Sequence, residues 1–143
     1  MHLVRFRIQK TAASPSQLSQ LRHWFEREWG TVDPFDAVVE GKPTPGPILA
    51  LDSEQLLIAG LAFASAKHPV LEVQALWINA LYVVEPHRRR GVASRLILEA
   101  EGRARSRGFS TLHAFTDIPE LYCGLRWKVI STEGKHSVVY RNL

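Results

Sequence analysis

Cysteine is almost absent. Cys123 is the only one in 143 residues, which excludes an internal disulfide framework and a multi-cysteine metal cluster. No apolar run approaches the roughly 18–20 residues that a membrane-crossing helix needs. The first ten residues, MHLVRFRIQK, alternate apolar and polar and lack the apolar stretch of a signal peptide, so a soluble, cytoplasmic protein is expected. Neither sign of charge dominates: 18 Lys+Arg stand against 14 Asp+Glu, a net charge of +4, which by itself implies no nucleic-acid partner. With 45% hydrophobic residues the chain is not composed like a disordered one. Its length fits one domain over 1–143, with a real core.

The charge is segregated along the chain. Residues 26–40 carry Glu26, Glu28, Asp33, Asp36 and Glu40 against Arg27, whereas residues 87–107 carry seven arginines and His87 against Glu99 and Glu101. Periodicity supplies the elements. Residues 3–9 alternate as a half-buried strand. Ser14-Pro15 reads as an N-cap and first helical residue, and Leu18, Leu21, Phe25 and Trp29 follow at helical spacing, predicting a helix over 15–28 that Gly30 ends. Residues 31–47 read as a loop with a short helical turn near 34–39. Runs 47–52 and 56–66 predict a hairpin, and 73–84 a buried strand. Val92, Ala93, Leu96, Ile97, Ala100 and Ala104 share one face of a helix from Gly91 to Arg107. Glu99–Arg103 and Glu101–Arg105 pair on its other face, and Gly108 follows as the cap. A strand over 109–115, a short helix over 119–125 and a hairpin of 127–132 with 138–141 complete an α/β pattern with one parallel crossover.

The chemistry is concentrated in LYVVEPHRRRGVASRL, residues 81–96. A buried strand ends, an arginine-rich loop follows, and a helix begins at Gly91. That order aims the free N–H groups of a helix N-terminus past the strand end, where they bind phosphate. Gly91 and Ala93 let a ligand approach the backbone, and Arg88, Arg89 and Arg90 add charge, so a pyrophosphate site is implied. The Lys-[Ser/Thr] of a phosphate-binding P-loop and the full Gly-x-Gly-x-x-Gly of a dinucleotide fold are both missing.

This segment resembles the coenzyme-A-binding motif of the GNAT acetyltransferase superfamily, [Gln/Arg]-x-x-Gly-x-[Gly/Ala], written here as Arg88-Arg89-Arg90-Gly91-Val92-Ala93. Leu81-Tyr82-Val83 and Pro86 before it, and Leu96 and Ile97 after it, also fit. TDIPELYCGLRWKVI, residues 116–130, resembles the superfamily's end signature, in which a Tyr precedes an apolar-Gly-aromatic turn. The resemblance implies a GNAT-like mixed, mostly antiparallel sheet of about seven strands flanked by about four helices, with acetyl-CoA as cofactor. The strand 73–84 would bulge and splay from 109–116. The pantetheine arm would lie along Leu81, Tyr82 and Val83, pairing with backbone groups of Leu81 and Val83. The pyrophosphate would rest on N–H groups from Arg89 through Arg90, Gly91, Val92 and Ala93 to Ser94. A backbone N–H near Leu81 would polarise the thioester carbonyl.

The resemblance makes Tyr122 the general acid for the departing thiolate, a core tyrosine being the plain alternative. The base is left open. The superfamily position that holds Glu in some members, eleven residues before Arg88, is Trp77 here. Glu72 acting through water and His113 are the candidates, with Asp117 and Glu120 behind them; Asn79 could hold a water. Cys123 reads as a structural, buried or half-buried thiol. Two glycines of the superfamily pattern are replaced, by Arg89 and by Arg126; the first is expected to cost little and the second to force an unusual turn conformation. The first helix and following loop shape the acceptor side in this fold. Trp29, Asp33 and Phe35 are therefore read as substrate-binding, for a small cationic amine. A peptide or protein amine is the second reading. A non-catalytic acetyl-CoA-binding or nucleic-acid-binding module is the reading of another class. A homodimer through the last hairpin is a further expectation; no metal, membrane or nucleic acid is.

Overall fold

A computed structural model describes residues 5–31 and 35–143. Strand β1 (Phe6–Ile8) leads to helix α1 (Pro15–Trp29). The Ser14 hydroxyl accepts the Gln17 N–H while the Gln17 side chain accepts the Ser14 N–H, a reciprocal capping box, with Pro15 at the first helical position. Gly30, at φ 82°, ends the helix.

The loop that follows departs from the expected helical turn. Within 35–47 the chain forms a small hairpin of β2 (Val38–Val39) and β3 (Lys42–Pro43). Its two turn residues, Glu40 and Gly41, both have positive φ, 48° and 82°. That geometry matches the right-handed twist of a two-residue hairpin. This leaves three α-helices among the described residues rather than four.

Strands β4 (Ile48–Asp52), β5 (Leu57–Lys67) and β6 (Gln74–Val83) form an antiparallel meander. A single 3₁₀ turn (Glu85–His87) and α2 (Val92–Ser106) then carry the chain to β7 (Thr111–Thr116). Helix α3 (Pro119–Cys123) and the hairpin of β8 (Lys128–Glu133) and β9 (His136–Asn142) end it. The seven-stranded sheet has the order β1-β4-β5-β6-β7-β9-β8, and β6–β7 is its one parallel pair. Helix α1 covers one face, packing Leu21, Trp24 and Phe25 on Leu49, Ala62, Ala80 and Tyr82. On the other face α2 and α3 bury Leu96, Ile97, Ala100 and Tyr122 with Leu76, Ile78, Leu112 and Ala114. No helix among the described residues is long and apolar enough to cross a membrane.

Two side chains stand elsewhere than their local pattern implied. Glu101 is not on the polar face of α2 with Arg105. It is 4% exposed, accepting from the Trp127 indole N–H (3.2 Å) and from Arg141 Nε (3.2 Å). Its spacing from Ile97 and Ala104 puts it on the apolar stripe, and two donors from the β8–β9 region satisfy the buried carboxylate. Cys123 is exposed, because the one-and-a-half-turn α3 spends its inward position on Tyr122.

Candidate active site

The parallel ladder between β6 and β7 is two pairs long, Trp77 with His113 and Ile78 with Ala114. Immediately beyond it β6 bulges. Ala62 and Phe63 of β5 face Ala80 and Ile78, leaving Asn79 as the extra residue. From there β6 pairs with β5 alone. Val84 N–H donates to Ile58 O (2.9 Å), so by antiparallel alternation the backbone groups of Tyr82 turn toward β5 and those of Leu81 and Val83 turn away, into the gap. One of these gap-facing groups has a partner: Arg88 Nε donates to the Val83 carbonyl (2.8 Å).

The loop at the mouth of the gap is contorted. Arg89 has φ 63° and Gly91 φ 84°, and no side chain caps α2. The first-turn N–H groups of Val92, Ala93 and Ser94 therefore have no helical partner. A Cβ on Gly91 would meet no atom within 4 Å; it is the φ, not crowding, that asks for glycine. Nearby, His87 Nδ1 is buried without a hydrogen bond. Free amides, an unpaired strand edge and Arg88–Arg90 form a donor set that fits a pantetheine arm and its pyrophosphate. Tyr82, expected among the cofactor contacts, is turned the other way. Its ring packs on Trp24 (5.3 Å between centroids) under the Arg88 guanidinium, and its hydroxyl accepts from Arg27 Nη2 (3.1 Å).

Tyr122 and His113 lie on opposite faces of the sheet, Tyr122 on the α2–α3 face and His113 on the ladder pair with Trp77. Tyr122 lies in the buried cluster that holds Val83 and Val92, with its ring edge-on to Trp127 (4.9 Å). Burial pushes its phenol above the ordinary 10.0, so the neutral form is favoured. His113 alternates with Leu112 and Ala114 and so points to the α1 side. It is 1% exposed, beside Trp77 (centroids 5.1 Å) and His68 (4.9 Å). Burial lowers its pKa from 6.5, the bond between Nδ1 and the Leu76 carbonyl (3.2 Å) opposes this, and His68 adds to the lowering. Trp77, at the superfamily's Glu position, has a buried indole N–H without a partner.

Of the other expected residues, Glu72 is exposed in the β5–β6 connection, bound to Lys67 (3.2 Å). Asn79 is exposed at the bulge; Asp117 and Glu120 are exposed near α3. Trp29 is 55% exposed at the end of α1. Phe35 is half-buried, with the Arg22 guanidinium over its ring (4.6 Å). Asp33 lies outside the described residues. Sequence reasoning missed His68: nothing in Lys67-His68-Pro69 beyond a chain break ties it to a residue forty-five positions later. Among the described residues no group of His, Cys, Asp or Glu gathers as a metal set.

Residues 14–122 match the Acetyltransferase (GNAT) family. Among curated proteins, none matches the chain in sequence. The fold is similar to that of Arabidopsis thaliana Naa50, solved with the bisubstrate analogue CoA-Ac-MVNAL, at TM-score 0.70 and 15% identity over 98% of this chain and 100% of that one. It is similar to Escherichia coli YhbS in complex with CoA, at TM-score 0.70 and 17% identity over 97% and 82%. A mosquito arylalkylamine N-acetyltransferase like 5b follows at TM-score 0.69 and 14% identity over 96% and 100%. The splayed strand pair, the basic loop and the family match together make the chain a member of the Acetyltransferase (GNAT) family, N-acetyltransferases that use acetyl-CoA.

Proposed function

We propose that the chain, as one acetyltransferase domain over 1–143, acetylates a small primary amine that carries an apolar or aromatic group, by direct attack. The observation that carries this reading is the two-pair ladder between β6 and β7, beyond which Leu81 and Val83 have no strand partner on the β7 side. Bound acetyl-CoA supplies an activated acyl carbonyl. The chain's own groups do the rest. Amides from Arg89 to Ser94 and the arginines hold the pyrophosphate, and the gap-facing groups of Leu81 and Val83 hold the pantetheine arm. The Leu81 N–H stabilises charge developing on the carbonyl oxygen.

An amine near pKa 10 must lose a proton before it attacks. His113 is the base in this reading, in preference to Glu72, whose carboxylate is solvated and bound to Lys67. With Nδ1 donating to the Leu76 carbonyl, Nε2 of His113 carries the lone pair. Tyr122, kept neutral by burial, donates a hydrogen bond to the thiolate as it leaves. Because the lowered pKa of His113 favours the neutral, basic form, kcat/KM rises with pH through a midpoint below 6.5 and then levels.

For the acceptor, Phe115 lies on the His113 face just past the last ladder pair. It is 60% exposed and stacked on His136 (4.8 Å, 16°). The earlier expectation of a cationic acceptor loses support at Phe35, whose ring already holds Arg22. A peptide N-terminus shares the apolar requirement and is the second reading, a cytoplasmic setting being assumed for both. The test is a panel of an arylalkylamine, a polyamine and a free-N-terminus peptide with acetyl-CoA. The arylalkylamine is expected to turn over fastest, with His113→Gln and Tyr122→Phe each lowering kcat by about 10²-fold or more. A polyamine turned over fastest would overturn the acceptor class.

A further inference from the structure

His68 follows the last residue of β5, and its ring does structural work on the connection to β6. Its Nδ1 accepts both the Val70 N–H (3.0 Å) and the Leu71 N–H (3.0 Å). A nitrogen that accepts two amide donors carries no proton, so the Nδ1 lone pair of His68 is turned to the backbone and its ring is fixed in one orientation. Its own N–H donates to the Val73 carbonyl (2.8 Å), which closes the turn. The ring so fixed stands edge-to-face with His113, at 4.9 Å and 75°. On another side of His113 the Trp77 indole lies at 5.1 Å and 33°.

His113 needs such a clamp. One hydrogen bond, to the Leu76 carbonyl, sets its ring, and an imidazole torsion is broad and roughly two-fold. A ring flip would exchange Nδ1 for a carbon, break that bond and move the lone pair of Nε2. We propose that His68 is a positioning residue for His113: its amide-anchored ring and the Trp77 indole block the flip and hold His113 in the Nδ1–H tautomer, with Nε2 free as the base. The inference rests on the base reading above for its purpose, but not for its observation. The groups that surround His68 are few. His113 faces it from β7, with Tyr140 opposite His113 on β9; Lys67 and Glu72 of its own connection bind each other.

The experiment is a nitrogen-detected NMR titration of the imidazoles in the full chain without ligand, from about pH 5 to 8. The wild type is expected to show His113 as a single Nδ1–H tautomer and His68 as Nε2–H. His68→Asn keeps an acceptor for the Val70 and Leu71 amides but removes the ring edge. In it His113 is expected to become a mixture of tautomers and its midpoint to rise, with the Leu76 and Trp77 amide shifts little changed. His68→Gln is read in the same way should the first variant not fold. A single Nδ1–H tautomer with an unmoved midpoint in the folded variant would overturn the proposal. The base reading fails separately: it falls if His113→Gln transfers acetyl groups at the wild-type rate, whatever the tautomer.

Discussion

Arginine stands at two positions, 89 and 126, where the backbone is left-handed, at φ 63° and 73°. A side chain there costs about 1–2 kcal/mol against the ordinary helical hand. Both are places where the superfamily pattern has glycine, so Arg89 is not the cheap exchange that its sequence context implies. At Arg89 that strained backbone sets a positive charge beside the amides that would bind the anion. At Arg126 the side chain is exposed and only the backbone is used, its N–H donating to the Cys123 carbonyl (3.0 Å) and its carbonyl accepting from Arg141 Nη1 (3.1 Å). Arg126→Gly keeps that carbonyl and relieves the torsion. After the entropy that glycine adds to the unfolded chain, a net gain of about 0.5–1 kcal/mol is expected. A urea midpoint that rises without a change of slope, at unchanged acetyl-CoA affinity, bears this out; a lower midpoint refutes it. The same scale shows what a sequence hides. Arg126 is visible as a departure from a pattern, but Glu101 reads as one more charge on a helix until Arg141 and Trp127 arrive from forty and twenty-six residues away.

Helix α1 sits on β5 at Gly60. A Cβ added there would fall on the Leu21 Cδ1 atom, and Leu21 is wholly buried, so it has no room to swing aside. Gly60→Ala is therefore expected to destabilise the fold by about 1–3 kcal/mol through overpacking. In Leu21→Ala, which opens the same space, the added methyl should cost little or nothing. A double-mutant cycle read by denaturant unfolding checks this: coupling near zero means that α1 does not depend on the missing side chain. The elements themselves were legible from local signals. The Ser14 cap, the alternation along 47–66 and the apolar stripe of α2 are short-range patterns that the fold keeps. The β2–β3 hairpin was not legible, because two residues per strand carry no periodicity and its signal is the single Glu40-Gly41 turn. The glycine-and-arginine loop could be read because its function is written in consecutive residues. The cluster of Trp77, His68 and His113 could not, since it exists only once β5, β6 and β7 lie side by side.

Across the molecule, the segregated charge of the sequence becomes a site. Arg88, Arg89 and Arg90 gather where β6 ends and α2 begins, with the positive end of the α2 dipole behind them. Arg27 approaches the same strand end from α1 through the Tyr82 hydroxyl. A molecule of net charge +4 so arranged should bind a polyanion with an energy that salt screens. Acetyl-CoA affinity, measured by calorimetry, is expected to weaken severalfold between roughly 0.05 and 0.5 M salt, where the screening length shrinks below the spacing of these charges. Gly91→Asp separates this field from the fold. The position has empty space for a side chain. Aspartate tolerates left-handed backbone better than most residues, so the melting temperature should fall by only a few degrees. Yet its carboxylate would stand where the pyrophosphate binds, and affinity should fall at least tenfold. If the variant binds acetyl-CoA as the wild type does, the diphosphate lies elsewhere, and the arginines of this loop serve another anion.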